Sequence, residues 1–73
     1  MSKRIGYISA IDLRAELATI TDSNDQDIDC RISTLDFHIS LGQRVWFEIT
    51  LTKYGLEASN LNTFAENDMI GEN

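Results

Sequence analysis

From Val45 to Leu61 the chain reads VWFEITLTKYGLEASNL, and the reading of this stretch decides the fold class. Its first half, Val45 to Thr52, is dense in β-branched and aromatic residues, the types that fit a pleated, half-buried surface. Alternation sets Val45, Phe47 and Ile49 on one side and Trp46, Glu48 and Thr50 on the other, a period of two rather than 3.6. Lys53, Tyr54 and Gly55 interrupt the pattern and read as a hairpin turn closed at Gly55. Leu56 to Leu61 then resumes as a second strand.

The same signals extend outward. Asp27 to Ile32 reads DIDCRI, with Ile28, Cys30 and Ile32 on one face and Asp29 and Arg31 on the other. Gly6 to Ile11 and Leu17 to Thr21 give two more short strands, and the polar cluster from Thr21 to Asp27 (TDSNDQD) is a turn between strands. Asp12 to Ala18 contains good helix formers, but the run is too short to hold a helix alone; a single helical turn is the alternative there. Five short strands in so short a chain point to an all-β, five-stranded antiparallel Greek-key barrel of the OB type. Closure of such a barrel removes the edges a small sheet cannot otherwise protect.

Size and composition bound the function. Seventy-three residues and 8.3 kDa make one small domain, and a chain of this size buries only about 60% of its unfolded surface. A deep active-site cleft with its own lid is not expected. Residues 1–62 read as the barrel and 63–73 as an acidic tail, with disorder the default for such an end. No window is apolar for long enough to span a bilayer, the N-terminus lacks the apolar core of a signal peptide, and the single cysteine, Cys30, excludes an internal disulfide. A reducing, cytoplasmic setting is the expectation. Twelve acidic against six basic residues give a formal charge of −6 and a pI near 4.4, a poor overall balance for wrapping a phosphate backbone.

Leu41 to Leu61 also resembles the C-terminal half of bacterial cold-shock proteins, whose pattern runs EGQ-[RK]-V-x-F-E-[VI]-x-x-x-x-x-G-P-x-A-x-N-V. Gly42, Gln43, Arg44, Val45, Phe47, Glu48, Ile49, Gly55, Ala58 and Asn60 match without a gap, while the family's proline is Leu56. Gly6 to Asp12 falls where the family has G-T-V-K-W-F-N. Leu17 to Thr21 falls on F-G-F-I-T, and Asp27 to Ser33 on D-V-F-V-H-F-S, with one short deletion in the acidic loop. The resemblance covers residues 5 to 62 and implies a cold-shock-type OB barrel.

It departs at the positions that carry the family's chemistry. Cold-shock proteins stack bases on aromatic rings presented by two ribonucleoprotein-like motifs. Those positions here hold Ala10, Ile11, Leu17, Thr19, Asp29, Arg31 and Ile32, none aromatic, and family lysines become Ser9 and Ala15. Stacking is worth about 1–3 kcal/mol per base, so the loss of several platforms costs a few orders of magnitude in affinity. The corresponding face carries Arg14 and Arg31 against Asp12, Glu16 and Asp29.

Other residues have bland readings. The alternate carboxylates Asp25, Asp27 and Asp29, with Asp36 at the twelfth position when Asp25 is the first, invite comparison with a calcium loop, but the glycine that loop needs at its sixth position is Cys30. A solvated loop leading into a strand accounts for them. Cys30 reads as a small buried hydrophobe and His38 as a loop residue without a chemical partner. No catalytic constellation, metal site or cofactor is expected.

What remains is binding. Trp46, Tyr54 and Leu56, with Leu51 beside them, read as an exposed apolar cluster on the outer side of the hairpin, the composition of an interaction surface. Phe64, Met69 and Ile70 of the tail could cover it instead. The first functional expectation is a non-catalytic binding or regulatory module that meets a protein partner, or a second copy of itself, through Trp46, Tyr54 and Leu56 and an acidic face with Asp12, Glu16 and Asp29. The second is a weak single-stranded nucleic-acid binder using Arg14, Arg31, Phe37, Arg44 and Lys53.

Overall fold

The computed structural model describes residues 3–35 and 38–63. Five strands, β1 (Arg4–Asp12), β2 (Leu17–Asp22), β3 (Asp27–Arg31), β4 (Arg44–Thr52) and β5 (Gly55–Thr63), close into a barrel in the order β1-β2-β3-β5-β4. A 3-10 turn, Ile32–Thr34, follows β3. All neighbours are antiparallel except β3 and β5, which run parallel and meet at Asp29 and Glu57. This all-β closed barrel is consistent with the OB architecture.

The inward faces supply one core of Ile8, Ala18, Ile20, Cys30, Val45, Phe47, Ala58 and Leu61, with Ile11, Ile28, Ile32, Leu35, Ile39 and Ile49 packed around it. Two bulges decide which residues enter it. In β1 the register jumps between Ile8 and Ala10, leaving Ser9 unpaired, so that Ile8 and then Ile11, not Ala10, turn toward the core. In β5 the register jumps opposite Trp46 and Glu48, and Asn60 adopts the left-handed conformation at φ 53°. Its amide donates to Glu48 Oε1 at 2.9 Å, and Leu61 takes the inward place that strict alternation would have given Asn60.

The connections are made by short polar side chains. Asp12 Oδ1 accepts the backbone N–H groups of Arg14 and Ala15, both at 3.1 Å, which folds Leu13–Glu16 into a turn rather than a helix. Glu16 sits at φ 60° and its carbonyl accepts the Ile32 N–H at 3.0 Å, tying this turn to the end of β3. At the β4–β5 hairpin Thr52 Oγ1 accepts the Tyr54 N–H and donates to the Gly55 carbonyl, with Gly55 at φ 111°.

The Thr21–Asp27 cluster is a turn organised around Asp22, which is nearly buried. Asp22 Oδ1 accepts the N–H groups of Asn24 at 2.8 Å and Gln26 at 2.9 Å, while Oδ2 lies 3.5 Å from Arg4. The Gln26 and Asn24 amides, aided by Arg4, hold this carboxyl below its ordinary value of 3.8 against the opposing effect of burial. A carboxyl depressed in the folded state contributes stability that is present above its unfolded value and lost as pH falls through its folded value. Asp22→Asn keeps an oxygen for the two amides but cannot titrate. The melting temperature of the wild type should therefore fall more steeply than that of Asp22→Asn as pH drops below 3.8. Parallel pH profiles for the two proteins would show that Asp22 has no such linkage.

Candidate functional site

The outer face of β1, β2 and β3 is where the resemblance places a nucleic-acid surface. Cross-strand register sets it out in three rows: Asp12, Leu17 and Arg31; Ala10, Thr19 and Asp29; Tyr7, Thr21 and Asp27. Tyr7, 44% exposed, is the aromatic these rows carry, and Arg44 pairs beside it on β4. Alternation around the inward residues Gly6 and Ile8 was the signal for Tyr7, which the sequence reading passed over. Thr21 Oγ1, nearly buried, lies 2.8 Å from both Ser9 Oγ and Asp27 Oδ1, so the third row is closed by its own hydrogen bonds.

The cations expected to serve nucleic acid are not gathered there. Arg31 is held by Glu57, with Nε 3.1 Å from Oε1 and Nη2 3.4 Å from Oε2, and its guanidinium lies 4.3 Å from the centre of the Tyr54 ring. These contacts, the Glu57 carboxylate foremost, keep Arg31 charged, and they spend its donors inside the molecule. Lys53 Nζ lies 5.3 Å from the same ring. Arg14 is exposed in the β1–β2 turn, and Arg44 sits at the far side of β1. Phe37, like Asp36, lies outside the described residues.

The apolar cluster expected around the hairpin is divided. Leu51 and Leu56 are cross-strand partners, 76% and 60% exposed, and Tyr54 at the tip is 67% exposed. Trp46 does not join them. It pairs with Asn62 and Ile5 at the other end of β4, is only half-exposed, and lines a cleft with Lys3, Arg4 and Arg44. The expectation of one outer-hairpin patch is thus corrected: Trp46 is five positions from Leu51 along a strand that rises about 3.3 Å per residue, beyond side-chain contact. The tail residues Phe64, Met69 and Ile70 lie outside the described residues.

Leu56 instead shares a cleft with an acidic residue of the first expectation. Between β3 and the β4–β5 hairpin, Ile28, Ile49 and Leu56 form an apolar floor, and Asp27 and Asp29 stand at its rim with Gln26. No cation is among these lining residues. Leu51 extends the same sheet face as Ile49 and Leu56, so the floor continues onto an exposed shelf. The other two acidic residues of that expectation lie away from it in the β1–β2 turn, where Asp12 acts as a turn cap and Glu16 carries strained backbone.

Burial, with the nearby Glu57 charge, pushes the Cys30 thiol up to about 11, so it stays protonated near neutral pH. Among the described residues no group of His, Cys, Asp and Glu side chains converges as metal ligands would, and no helix is long and apolar enough to cross a membrane. No protein-family model and no curated protein matches this chain.

Proposed function

We propose that this chain is a divergent cold-shock-like OB module, cytoplasmic and non-catalytic, that acts through protein–protein contacts. The acid-rimmed cleft of Asp27, Asp29, Ile28, Ile49 and Leu56 is its contact for a basic, partly apolar partner segment. One observation carries the reading: an apolar floor and carboxylates of one sign share a cleft on a face that lacks the family's stacking rings. A basic segment gains apolar burial on the floor and electrostatic steering from the rim. Tyr54 and Leu56 are the side chains best suited to anchor it, since large exposed apolar groups dominate interface energetics.

The test is affinity capture from source lysate, with and without nuclease, using the wild type and Asp29→Lys with Leu56→Ser. Nuclease-resistant retention of one protein that drops at least tenfold with the double substitution supports the proposal. Retention that nuclease abolishes, together with tight binding of a pyrimidine oligonucleotide, overturns it in favour of single-stranded nucleic acid. That second reading draws on Tyr7 and Arg44, which the register brings together on the outer face.

A further inference from the structure

β4 outruns the strand beside it. β1 begins at Arg4, opposite Phe47, so on that side no described residue pairs with Glu48–Thr52, whereas β5 pairs with the same stretch on the other side. The end of β4 therefore projects past the closed part of the barrel as an edge. Which groups the edge presents follows from parity. The Ile8 N–H donates to the Gln43 carbonyl at 2.9 Å, and the ladder continues with Gly6 opposite Val45 and Arg4 opposite Phe47. Main-chain groups of alternate residues point the same way. Ile49 and Leu51 thus turn their N–H and C=O groups outward, while Glu48, Thr50 and Thr52 turn theirs to β5.

Edges of this kind are ordinarily blunted by inward charges, by proline or by a bulge. The bulge of this hairpin lies further back, opposite Trp46 and Glu48, and the chain has no proline. From Glu48 to Lys53 the overhang reads EITLTK, uncharged β-formers between one acid and one base.

This pattern is complementary to itself when run antiparallel. With Thr50 on a two-fold axis, Ile49 of each copy opposes Leu51 of the other, and these pairs exchange main-chain hydrogen bonds in both directions. Ile49 and Leu51 lie on the face that carries Leu56, so the exposed shelf of Leu51 and Leu56 becomes one apolar surface of the two copies. The same register sets Glu48 of each copy opposite Thr52 of the other and beside Lys53, so an acid meets a base at both ends. A slip of one position would set Ile49 and Leu51 against threonines, and parallel pairing would set acid beside acid.

We propose that the overhanging edge of β4 is the interface of a two-fold dimer, in which a second copy of this chain adds its own β4 antiparallel and the two hairpins form one continuous sheet. The contact uses main chain at Ile49 and Leu51 and does not depend on what occupies the acid-rimmed cleft.

Sedimentation equilibrium of the full chain tests this. The protein should sediment as the 8.3 kDa monomer at about 10 µM and approach twice that mass at about 1 mM, the weak association of an interface below about 1,200 Å². Leu51→Pro removes an outward N–H that no described residue accepts and should raise the dissociation constant about tenfold or more. Leu51→Lys, at an exposed side chain, serves as the second variant should the proline disturb folding, and should have an effect of the same size. Lys53→Glu sets acid against acid at both ends and should weaken the dimer about threefold or more, and adding Glu48→Lys to it should restore wild-type association. A mass that stays monomeric at about 1 mM overturns the proposal. So does a dimer that the Leu51 variants leave intact or that the charge exchange does not restore, since it then forms through another surface.

Discussion

Phe47→Ala should leave this barrel largely unfolded under mild conditions. Among the described residues Phe47 is the largest fully buried side chain, drawn from the centre of β4, the strand that pairs with both β1 and β5. Truncating a buried phenylalanine costs about 3–5 kcal/mol, the lost transfer energy plus the cavity left behind. Small domains sit near the lower end of the usual range of about 5–15 kcal/mol, so most of the stability is at stake. Urea titration followed by Trp46 fluorescence measures it. Leu51→Ala on the exposed shelf is the control and should stay within about 0.5 kcal/mol of the wild type. A Phe47→Ala protein as stable as that control would mean that Phe47 is not in the core.

Gly6→Ala should be comparably damaging, for a reason that has nothing to do with hydrophobicity. A Cβ at Gly6 would lie 2.6 Å from the Thr21 carbonyl oxygen and 2.8 Å from Ile20 Cγ2. The first neighbour is backbone inside a strand pair and cannot swing away. Gly6 pairs with Asp22 on one side and Val45 on the other, so moving β1 strains both ladders at once. Overpacking of this kind costs about 1–3 kcal/mol, and more where the neighbours are fixed. Gly42 offers a comparison, because a Cβ there meets open space but the backbone is held at φ 83°. Gly42→Ala carries only a left-handed backbone cost of about 1–2 kcal/mol. Denaturant midpoints should fall in the order wild type, Gly42→Ala, Gly6→Ala. The reverse order of the two variants would show that β1 can yield at Gly6.

The strands were legible because each carries its own alternation and each turn its own polar cluster. VWFEITLT and DIDCRI needed no long-range information, and they form β4 and β3 with Val45, Phe47 and Cys30 inward as read. The strand ends were less legible. β1 begins at Arg4 rather than Gly6 because β4 extends it, through the pairing of Arg4 with Phe47 and Ile5 with Trp46. The bulges at Ser9 and Asn60 were invisible to simple alternation, since an inserted residue moves every later side chain to the opposite face.

Legibility was lower at the candidate site because its parts come from elements distant in sequence. The Arg31–Glu57 pair depends on β3 lying parallel to β5, which no local pattern encodes. Asp29 and Leu56 meet for the same reason. Trp46 and Leu56, read as neighbours across a hairpin, sit near opposite ends of the β4–β5 ladder; the period of two tells the side of a strand but not the distance along it. Asp12 read as surface charge, although its position just after a strand marks a turn cap once β1 and β2 are paired.

The parallel junction of β3 and β5 has a thermodynamic consequence. These strands share a single register pair, Asp29 with Glu57, while β4 and β5 are paired along nearly their whole length. Opening the cylinder there parts the shortest ladder of the barrel together with the Arg31–Glu57 pair, and gives an unzipped, sheet-like form that keeps β1-β2-β3 and β4-β5 intact. The acid-rimmed cleft draws its walls from both sides of that junction. Any partner spanning the cleft binds the zipped form alone, and by mass action it suppresses the fluctuation in proportion to its occupancy. Recognition and barrel closure are then the same equilibrium viewed from two ends.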